Sequence, residues 1–188
     1  MSLKFLHLHL HGLIRSKNLE LGRDSDTGGQ TKYVFELINS LANTPEVHQV
    51  DLVTRLLKDP KIDTCYSEKQ EFVNPGVKIL RFKFGPYKYL RKELLWPYLD
   101  ELIANLISYY QTNNNKPDWI HAHYADAGYV GVRLSKFLKV PFIFTGHSLG
   151  REKQRKLLDA GLKQNQIEKI YFISKRIKAE EEALEYAN

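Results

Sequence analysis

Cysteine and long hydrophobic runs are nearly absent from this 188-residue sequence. Cys65 is the single cysteine, which excludes an intrachain disulfide and favours a reducing compartment. No apolar run approaches the roughly 20 residues that a membrane-spanning helix needs, and the first residues carry no secretory or transit signal. We therefore expect a soluble, cytoplasmic protein without a membrane partner.

Low-complexity tracts, internal repeats and a concentrated basic stripe are also lacking. Disorder and repeat architectures are therefore not expected, and the length suits one domain with its own core. The net charge of +6 is spread over a mixture of both signs. It suits a phosphorylated or nucleotide ligand, or simply a solvated surface. Residues 83–92 come nearest to a basic stripe with aromatics, and we expect no nucleic-acid partner.

Short apolar segments alternate with amphipathic ones along the chain. Residues 3–11 alternate leucine with histidine, a period of two that predicts a strand. Further strands are predicted at residues 47–53, 77–84, 119–122 and 140–145. Four helical regions are predicted. The first begins after residue 29, the second begins at 94, the third ends at about 138, and the fourth covers most of 151–188 with a break near Gly161. The polar segment 58–74 is expected to be a loop.

This order of elements predicts an α/β fold, a Rossmann-like three-layer sandwich whose mainly parallel sheet is covered on both faces. Loops with glycine or polar residues, at Gly12, Gly28, Asp126 and His147, each follow a strand or begin a helix. Such loops meet at one edge of a parallel sheet. Together they predict a ligand crevice at that edge.

The loop at residues 22–28 leads through Gly28 and Gly29 into the first helix. The first N–H groups of a helix lack internal partners and carry partial positive charge, and glycine allows a close approach to them. An anion or a sugar hydroxyl would fit there. The alternative is that the polar residues of the loop supply only an N-cap and the glycines only a turn.

Three histidines, His7, His9 and His11, share one face of the first predicted strand. Side chains on one face of a single strand point in parallel, so a metal site would need a ligand from a second element. We therefore expect His7 and His9 to be structural or surface residues. His11 and Gly12 lie where the strand ends and are better candidates for the crevice.

Three familiar catalytic patterns fit poorly. Residues 26–28 match the aspartic protease triplet but precede a helix rather than lying in a β-hairpin. Residues 146–150 resemble a nucleophile elbow, but the serine is not central between the glycines. The dinucleotide-binding fingerprint is absent after the first strand. An aspartic protease, a serine hydrolase and a dehydrogenase are therefore disfavoured.

Four motifs, in the same order, resemble the N-terminal domain of sucrose-phosphate synthase. They are residues 22–30, 92–99, 123–128 and 145–150. The similarity covers nearly the whole chain and includes residues 176–182, which resemble that family's arginine-containing helix. Sucrose synthase is a near neighbour that shares the segment from Asp26 to Gln30, but the residues before it and the segment at His147 favour the phosphate synthase.

The resemblance implies one half of a GT-B glycosyltransferase, which has two Rossmann-like domains facing a cleft. Such an enzyme moves glucose, with retention, from a nucleotide-glucose to fructose 6-phosphate, giving sucrose 6-phosphate, and requires no metal or other cofactor. Residues 1–188 would be the N-terminal acceptor-binding domain, truncated at its C-terminal helical end, and the C-terminal nucleotide-sugar domain would be absent from the chain. We expect the chain alone to be inactive. The alternative is a stand-alone sugar-phosphate binding or regulatory module.

The resemblance also implies roles for single residues. His147 would contact the transferred glucose near the reacting centre, and Tyr124 and Asp126 would line the cleft with His123. The residues implied to hold the sugars are Gly28, Gly29 and Gln30. Those implied to hold the acceptor phosphate are Lys92, Ser148, Lys153 and Arg176. As alternatives, the three cations would be solvated surface charges and Gln30 a surface amide.

Overall fold

A computed structural model describes residues 2–187 of the chain. Within them, six strands form one sheet in the order β3-β4-β2-β1-β5-β6. The strands are β1 Leu3–Leu8, β2 Val47–Arg55, β3 Gln70–Asn74, β4 Val77–Phe82, β5 Trp119–His123 and β6 Phe142–Thr145. Neighbouring strands are parallel except for the antiparallel pair β3 and β4.

Six helices accompany this sheet within residues 2–187, and four of them, the first, second, third and sixth, pack on its two faces. The six helices are α1 Gly29–Ala42, α2 Leu99–Asn113, α3 Ala125–Leu138, α4 Gly150–Asp159, α5 Gln164–Tyr171 and α6 Ile173–Tyr186. Short 3₁₀ turns occupy Thr64–Ser67, Lys92–Leu94 and Trp96–Tyr98. No helix in residues 2–187 is both long and apolar enough to cross a bilayer.

The alternation of strand side chains produces two separate cores. Leu6 and Leu8 of β1 belong to the larger core, which includes apolar residues of α2, α3 and α6. Phe5 packs on the opposite face, where Val34 and Ile38 of α1 contact β2 and β4. Because successive residues of a strand face opposite ways, one strand serves both cores. The predicted α/β sandwich is confirmed.

Several predicted boundaries need correction. The prediction of a loop at residues 58–74 is wrong, because that segment contains a 3₁₀ turn and β3. Among residues 2–187, β3 is an edge strand that pairs only with β4, and none of its residues is fully buried, so it lacks an apolar pattern. The second helix begins at Leu99 rather than at 94, after two 3₁₀ turns around Pro97. β1 ends at Leu8, before the predicted end at His11.

The C-terminal helical region is divided twice. The predicted break near Gly161 is confirmed between α4 and α5. A second break, at Phe172, was not predicted; this residue adopts a left-handed conformation (φ 47°) between α5 and α6. Nothing in the local sequence marks it, because phenylalanine is not a usual residue for positive φ.

Replacing Gly131 by alanine should lower the free energy of unfolding by about 1–3 kcal/mol. Gly131 lies in α3 against the sheet, and an added Cβ would lie 2.4 Å from Cε2 of Phe142. The matched control is Gly29→Ala in α1, where nothing lies within 4 Å of the added atom. Urea unfolding of both variants checks this, and an unchanged midpoint for Gly131→Ala would contradict the close packing of α3.

Candidate functional site

An open cleft of about 250 Å³ lies where the predicted loops meet, beyond the carboxyl ends of β1, β5 and β6. Its walls are His11, Ser25, Asp26, Gly28, Gly29, Gln30, Lys92, Tyr124, Ser148, Lys153 and Arg176. Most of the predicted site residues therefore line one cleft. Asp126 and His147 lie beside it, Asp126 in a smaller adjoining cavity that also contains Glu93.

The loop before α1 is held rigidly against the end of β1. Asp24 Oδ1 accepts the N–H groups of Asp26 at 2.8 Å and Thr27 at 3.0 Å. Thr27 Oγ1 in turn accepts the N–H of Leu13 at 3.0 Å. Gly12 makes this approach feasible, since its φ is +75° and a Cβ there would lie 2.2 Å from the Asp26 carbonyl oxygen. The loop geometry thus requires glycine at position 12.

The N-terminus of α1 is open toward the cleft. Gly28 is its N-cap, and no side chain in residues 2–187 forms a cap hydrogen bond there. The polar loop residues therefore do not act as the N-cap, as the alternative interpretation required. Gly28 and Gly29 line the cleft, and because the first N–H groups of a helix have no partner within the helix, this helix start is suited to a ligand oxygen.

The amide of Gln30 is turned inward rather than into solvent. Its Nε2 lies 3.1 Å from His9 Nδ1 and donates to the carbonyl of His123 at 3.4 Å. His9 is completely buried, as is His7, so of the two roles expected for these histidines, structural or surface, the structural role fits. The interpretation of Gln30 as a surface amide is wrong.

Lys92 and Lys153 form the cationic side of the cleft. Lys92 Nζ pairs with Asp26 Oδ1, and the Lys92 N–H donates to Asp26 Oδ2 at 2.9 Å. Glu93 Oε1 lies 3.6 Å from Lys92 Nζ and 3.9 Å from Lys153 Nζ. Burial lowers the pKa of the Lys153 ammonium, and the neighbouring Lys92 charge acts in the same direction although Glu93 opposes it. An added anion here would stabilise both ammonium groups.

Arg176 is buried at the inner end of the cleft, with 3% of its surface exposed. Its Nε donates to Glu180 at 2.8 Å, and its Nη2 donates to the carbonyl and hydroxyl oxygens of Ser148 at 2.6 and 3.0 Å. The guanidinium also lies 4.5 Å from the centroid of the Tyr124 ring. Neither Arg176 nor Lys92 is the solvated surface charge that the alternative required.

Asp126 lies behind His11. Its Oδ2 is 2.9 Å from His11 Nδ1, and its Oδ1 accepts the N–H of Ala127 at 2.7 Å. Both side chains are buried. The carboxylate fixes the orientation of the His11 ring, which reaches the cleft wall.

His147 adopts a left-handed backbone conformation (φ 55°) in the loop after β6. Its Nε2 is 3.1 Å from His123 Nδ1, and its ring packs edge-on against Tyr33 at 5.1 Å. Burial lowers the pKa of His147, and the nearby His11 adds to this. The ring is therefore neutral at pH 7, with one donor and one acceptor nitrogen. Positive φ in a non-glycine residue is typical of functional loops.

The acidic partners of these cations were missed from the sequence. Asp26 stands inside a recognised motif and Glu93 follows Lys92 directly, but only folding shows that they neutralise the cleft cations. The one signal in the sequence was the adjacency of Lys92 and Glu93. His11, which was expected to be a crevice residue, does line the cleft.

Replacing Asp26 by asparagine should lower the free energy of unfolding by about 2–4 kcal/mol at pH 7. Burial opposes ionisation of Asp26, but its bonds to Lys92 outweigh burial and hold the pKa of the carboxyl below its usual value. The stabilisation is therefore complete above the unfolded-state pKa of about 3.9 and is lost as the pH falls through the folded-state value.

Urea unfolding of the wild type and of Asp26→Asn, from pH 7 down to pH 3.5, measures the difference between their free energies of unfolding. This difference should stay constant at neutral pH and shrink below about pH 4. The control is Asp159→Asn in α4, whose carboxylate is 63% exposed and paired with Arg155. A difference between wild type and Asp26→Asn that does not change with pH would show that the charge of Asp26 is not what stabilises the loop.

Comparison with known proteins shows which family this chain resembles. The family model for Glycosyltransferase Family 4 matches residues 27–180. Probable sucrose-phosphate synthase 2 from Arabidopsis thaliana is 45% identical over 204 residues, which cover 95% of this chain and 20% of that protein. Sucrose-phosphate synthase from Spinacia oleracea is 43% identical over 206 residues, with the same coverage. The chain thus spans about a fifth of the length of these relatives.

A solved structure agrees with these sequence matches. Sucrose-phosphate synthase from Thermosynechococcus elongatus superposes with a TM-score of 0.75 at 25% identity, over 99% of this chain and 41% of that one. The resemblance carried by the four motifs is confirmed, and the fold matches part of a GT-B glycosyltransferase. The chain therefore belongs to glycosyltransferase family 4.

Proposed function

We propose that this chain is the acceptor-binding part of a retaining glycosyltransferase that moves glucose from a nucleotide-glucose to fructose 6-phosphate, giving sucrose 6-phosphate. One observation carries the proposal: three cations, Lys92, Lys153 and Arg176, line the same cleft as the open N-terminus of α1. A sugar phosphate needs both features, a cationic pocket for its phosphate and backbone donors for its hydroxyls.

The acceptor phosphate is assigned to the cationic side of the cleft. A dianion there would meet two ammonium groups, while the Ser148 hydroxyl and the guanidinium of Arg176 supply directed donors. Within the protein, Asp26, Glu93 and Glu180 balance these charges. A phosphate therefore competes with these carboxylates for the cations. The affinity for phosphate should depend most on the cations that are only weakly paired with carboxylates within the protein.

The sugar rings are assigned to the opposite side of the cleft. Gly28 and Gly29 line it, and the Gln30 side chain joins this wall to the strand ends through His9 and His123. His147 is neutral, and we assign it the contact with the transferred glucose near the reacting carbon. Tyr124 holds the guanidinium of Arg176 in place, and Asp126 holds His11.

Glycosyl transfer of this kind draws its rate from positioning both substrates and stabilising the departing diphosphate. We propose that the nucleotide-glucose binds a second domain outside this chain, that the transfer itself requires no metal, and that the enzyme acts in the cytoplasm. Unpaired Cys65 is compatible with that compartment. Sucrose synthase-type chemistry is the weaker candidate, because an acceptor without phosphate would leave Lys153 and Arg176 unused.

The experiment that tests this proposal is reconstitution. We expect no sucrose 6-phosphate from the purified chain alone, and measurable product when a separately expressed nucleotide-sugar domain is added. Fructose 6-phosphate binding without any rescue of activity would instead support a stand-alone regulatory module. Turnover by the rigorously purified chain alone would contradict the assignment of the donor site to another domain.

A further inference from the structure

Three histidines from two neighbouring strands meet on one face of the sheet, below the cleft. His7 on β1 is the registered partner of His121 on β5, and His123 follows two residues later on the same face. Their ring centroids are 4.1–5.3 Å apart. Each residue is at most 9% exposed. The second element that a metal site needs is thus supplied by β5.

The ring nitrogens are close enough to share one ion. One ligand atom from each histidine lies within 4.8 Å of the other two, and among residues 2–187 no other set of His, Cys, Asp or Glu side chains forms such a group. Nδ1 of His7 and Nε2 of His123 are 3.0 Å apart. Two nitrogens bound to one tetrahedral zinc ion stand roughly 3.3 Å apart, given Zn–N distances near 2.0–2.1 Å. Small rotations of the rings would therefore complete a three-histidine set.

The cluster also contains an unsatisfied nitrogen. Nε2 of His7 is buried and has no hydrogen-bond partner among the described residues. One imidazole binds an ion through a single nitrogen, so with Nδ1 of His7 facing Nε2 of His123, the orphaned Nε2 is the nitrogen that would keep the proton. The spacing of the three rings therefore carries the site.

We propose that His7, His121 and His123 form a binding site for a late transition-metal ion, in the first place Zn²⁺. Three imidazoles suit zinc and its neighbours, whereas Mg²⁺ and Ca²⁺ require oxygen ligands. Three neutral histidines leave a fourth position for water. The Thr145 hydroxyl, 2.8 Å from His121 Nε2, orients one of the three rings.

A metal ion bound here would be linked, through one hydrogen bond of its ligand His123, to His147 beside the cleft. His123 Nδ1 lies 3.1 Å from His147 Nε2. If Nε2 of His123 holds the ion, its Nδ1 carries the proton and donates it to His147 Nε2, which fixes the tautomer of His147. The metal site itself does not depend on the proposed function; the catalytic meaning of the His147 tautomer does.

The test is a titration of the chelator-treated chain with Zn²⁺ by calorimetry, and with Co²⁺ by visible absorption. We expect one-to-one binding and the intense bands of a tetrahedral Co²⁺ centre. His7→Gln and His121→Gln should each weaken binding at least tenfold. The matched control is His48→Gln, because His48 is an exposed histidine outside the cluster and should not affect binding.

Two results would overturn the proposal. One is the absence of saturable one-to-one binding in the wild-type chain, and the other is unchanged affinity in both cluster variants. Circular dichroism without metal establishes that each variant is folded. Since His121 lies nearer the surface than His7, His121→Gln carries the comparison if His7→Gln does not fold. Loss of binding in His48→Gln would show that the ion binds at the surface instead.

Discussion

Replacing Lys153 by alanine should weaken the binding of fructose 6-phosphate to this chain by about 10- to 150-fold, the effect of losing one charge-assisted bond of about 1.5–3 kcal/mol. Lys153 is the cleft cation with the weakest internal pairing. Its partner Glu93 is 3.9 Å away, beyond hydrogen-bond length, and its Nζ otherwise lies over the Tyr171 ring at 3.9 Å. Lys92 and Arg176, by contrast, already bond directly to carboxylates.

The matched control is Lys156→Ala in the same helix, α4. Its side chain is 70% exposed and paired with Glu152, so its removal changes the net charge equally without touching the cleft. Calorimetric titration with fructose 6-phosphate should separate the two variants. If both weaken binding to the same extent, general electrostatic attraction rather than a phosphate site at Lys153 would explain the effect.

Replacing Gly12 by alanine should lower the free energy of unfolding by about 2–5 kcal/mol. Part of this loss is the strain of an L-residue at φ +75°, and the larger part is the overlap of Cβ with the Asp26 carbonyl oxygen, 2.2 Å away. That oxygen is backbone and cannot rotate aside. The loop that carries Asp26 must therefore move, and the open N-terminus of α1 should move with it.

Gly22→Ala separates the two contributions. Gly22 has a similar φ of +83°, but nothing lies within 4 Å of an added Cβ, so only strain of about 1–2 kcal/mol is expected. Urea unfolding compares the variants, and fructose 6-phosphate titration of the folded fraction reports on the cleft. Equal losses of stability for the two variants would show that the contact between Gly12 and Asp26 does not constrain the loop.

Patterns local in sequence predicted most of the fold. The alternation of Leu and His in β1 and the apolar runs of the other buried strands are visible without any tertiary information. β3 was missed because an exposed edge strand needs no apolar face, and the left-handed turn at Phe172 because no glycine marks it. Both depend on contacts made only after folding.

The site divides in the same way. The glycines before α1 and the polar residues after the strands pointed to the edge of the sheet where the cleft lies, because strand ends can be predicted from sequence. The pairing of Lys92 with Asp26 joins residues 66 positions apart, and that of His7 with His121 depends on strand register. Neither can be read from one sequence, so the charge balance and the histidine cluster required the structure.

The most direct test of the central claim is a calorimetric comparison of fructose 6-phosphate with fructose as ligands of the wild-type chain. If the cleft holds an acceptor phosphate between Lys153 and Arg176, fructose 6-phosphate should bind at least tenfold more tightly, and added salt should reduce the difference. Equal affinity for the two sugars, or no binding of either, would contradict the assignment of this cleft to a phosphorylated acceptor.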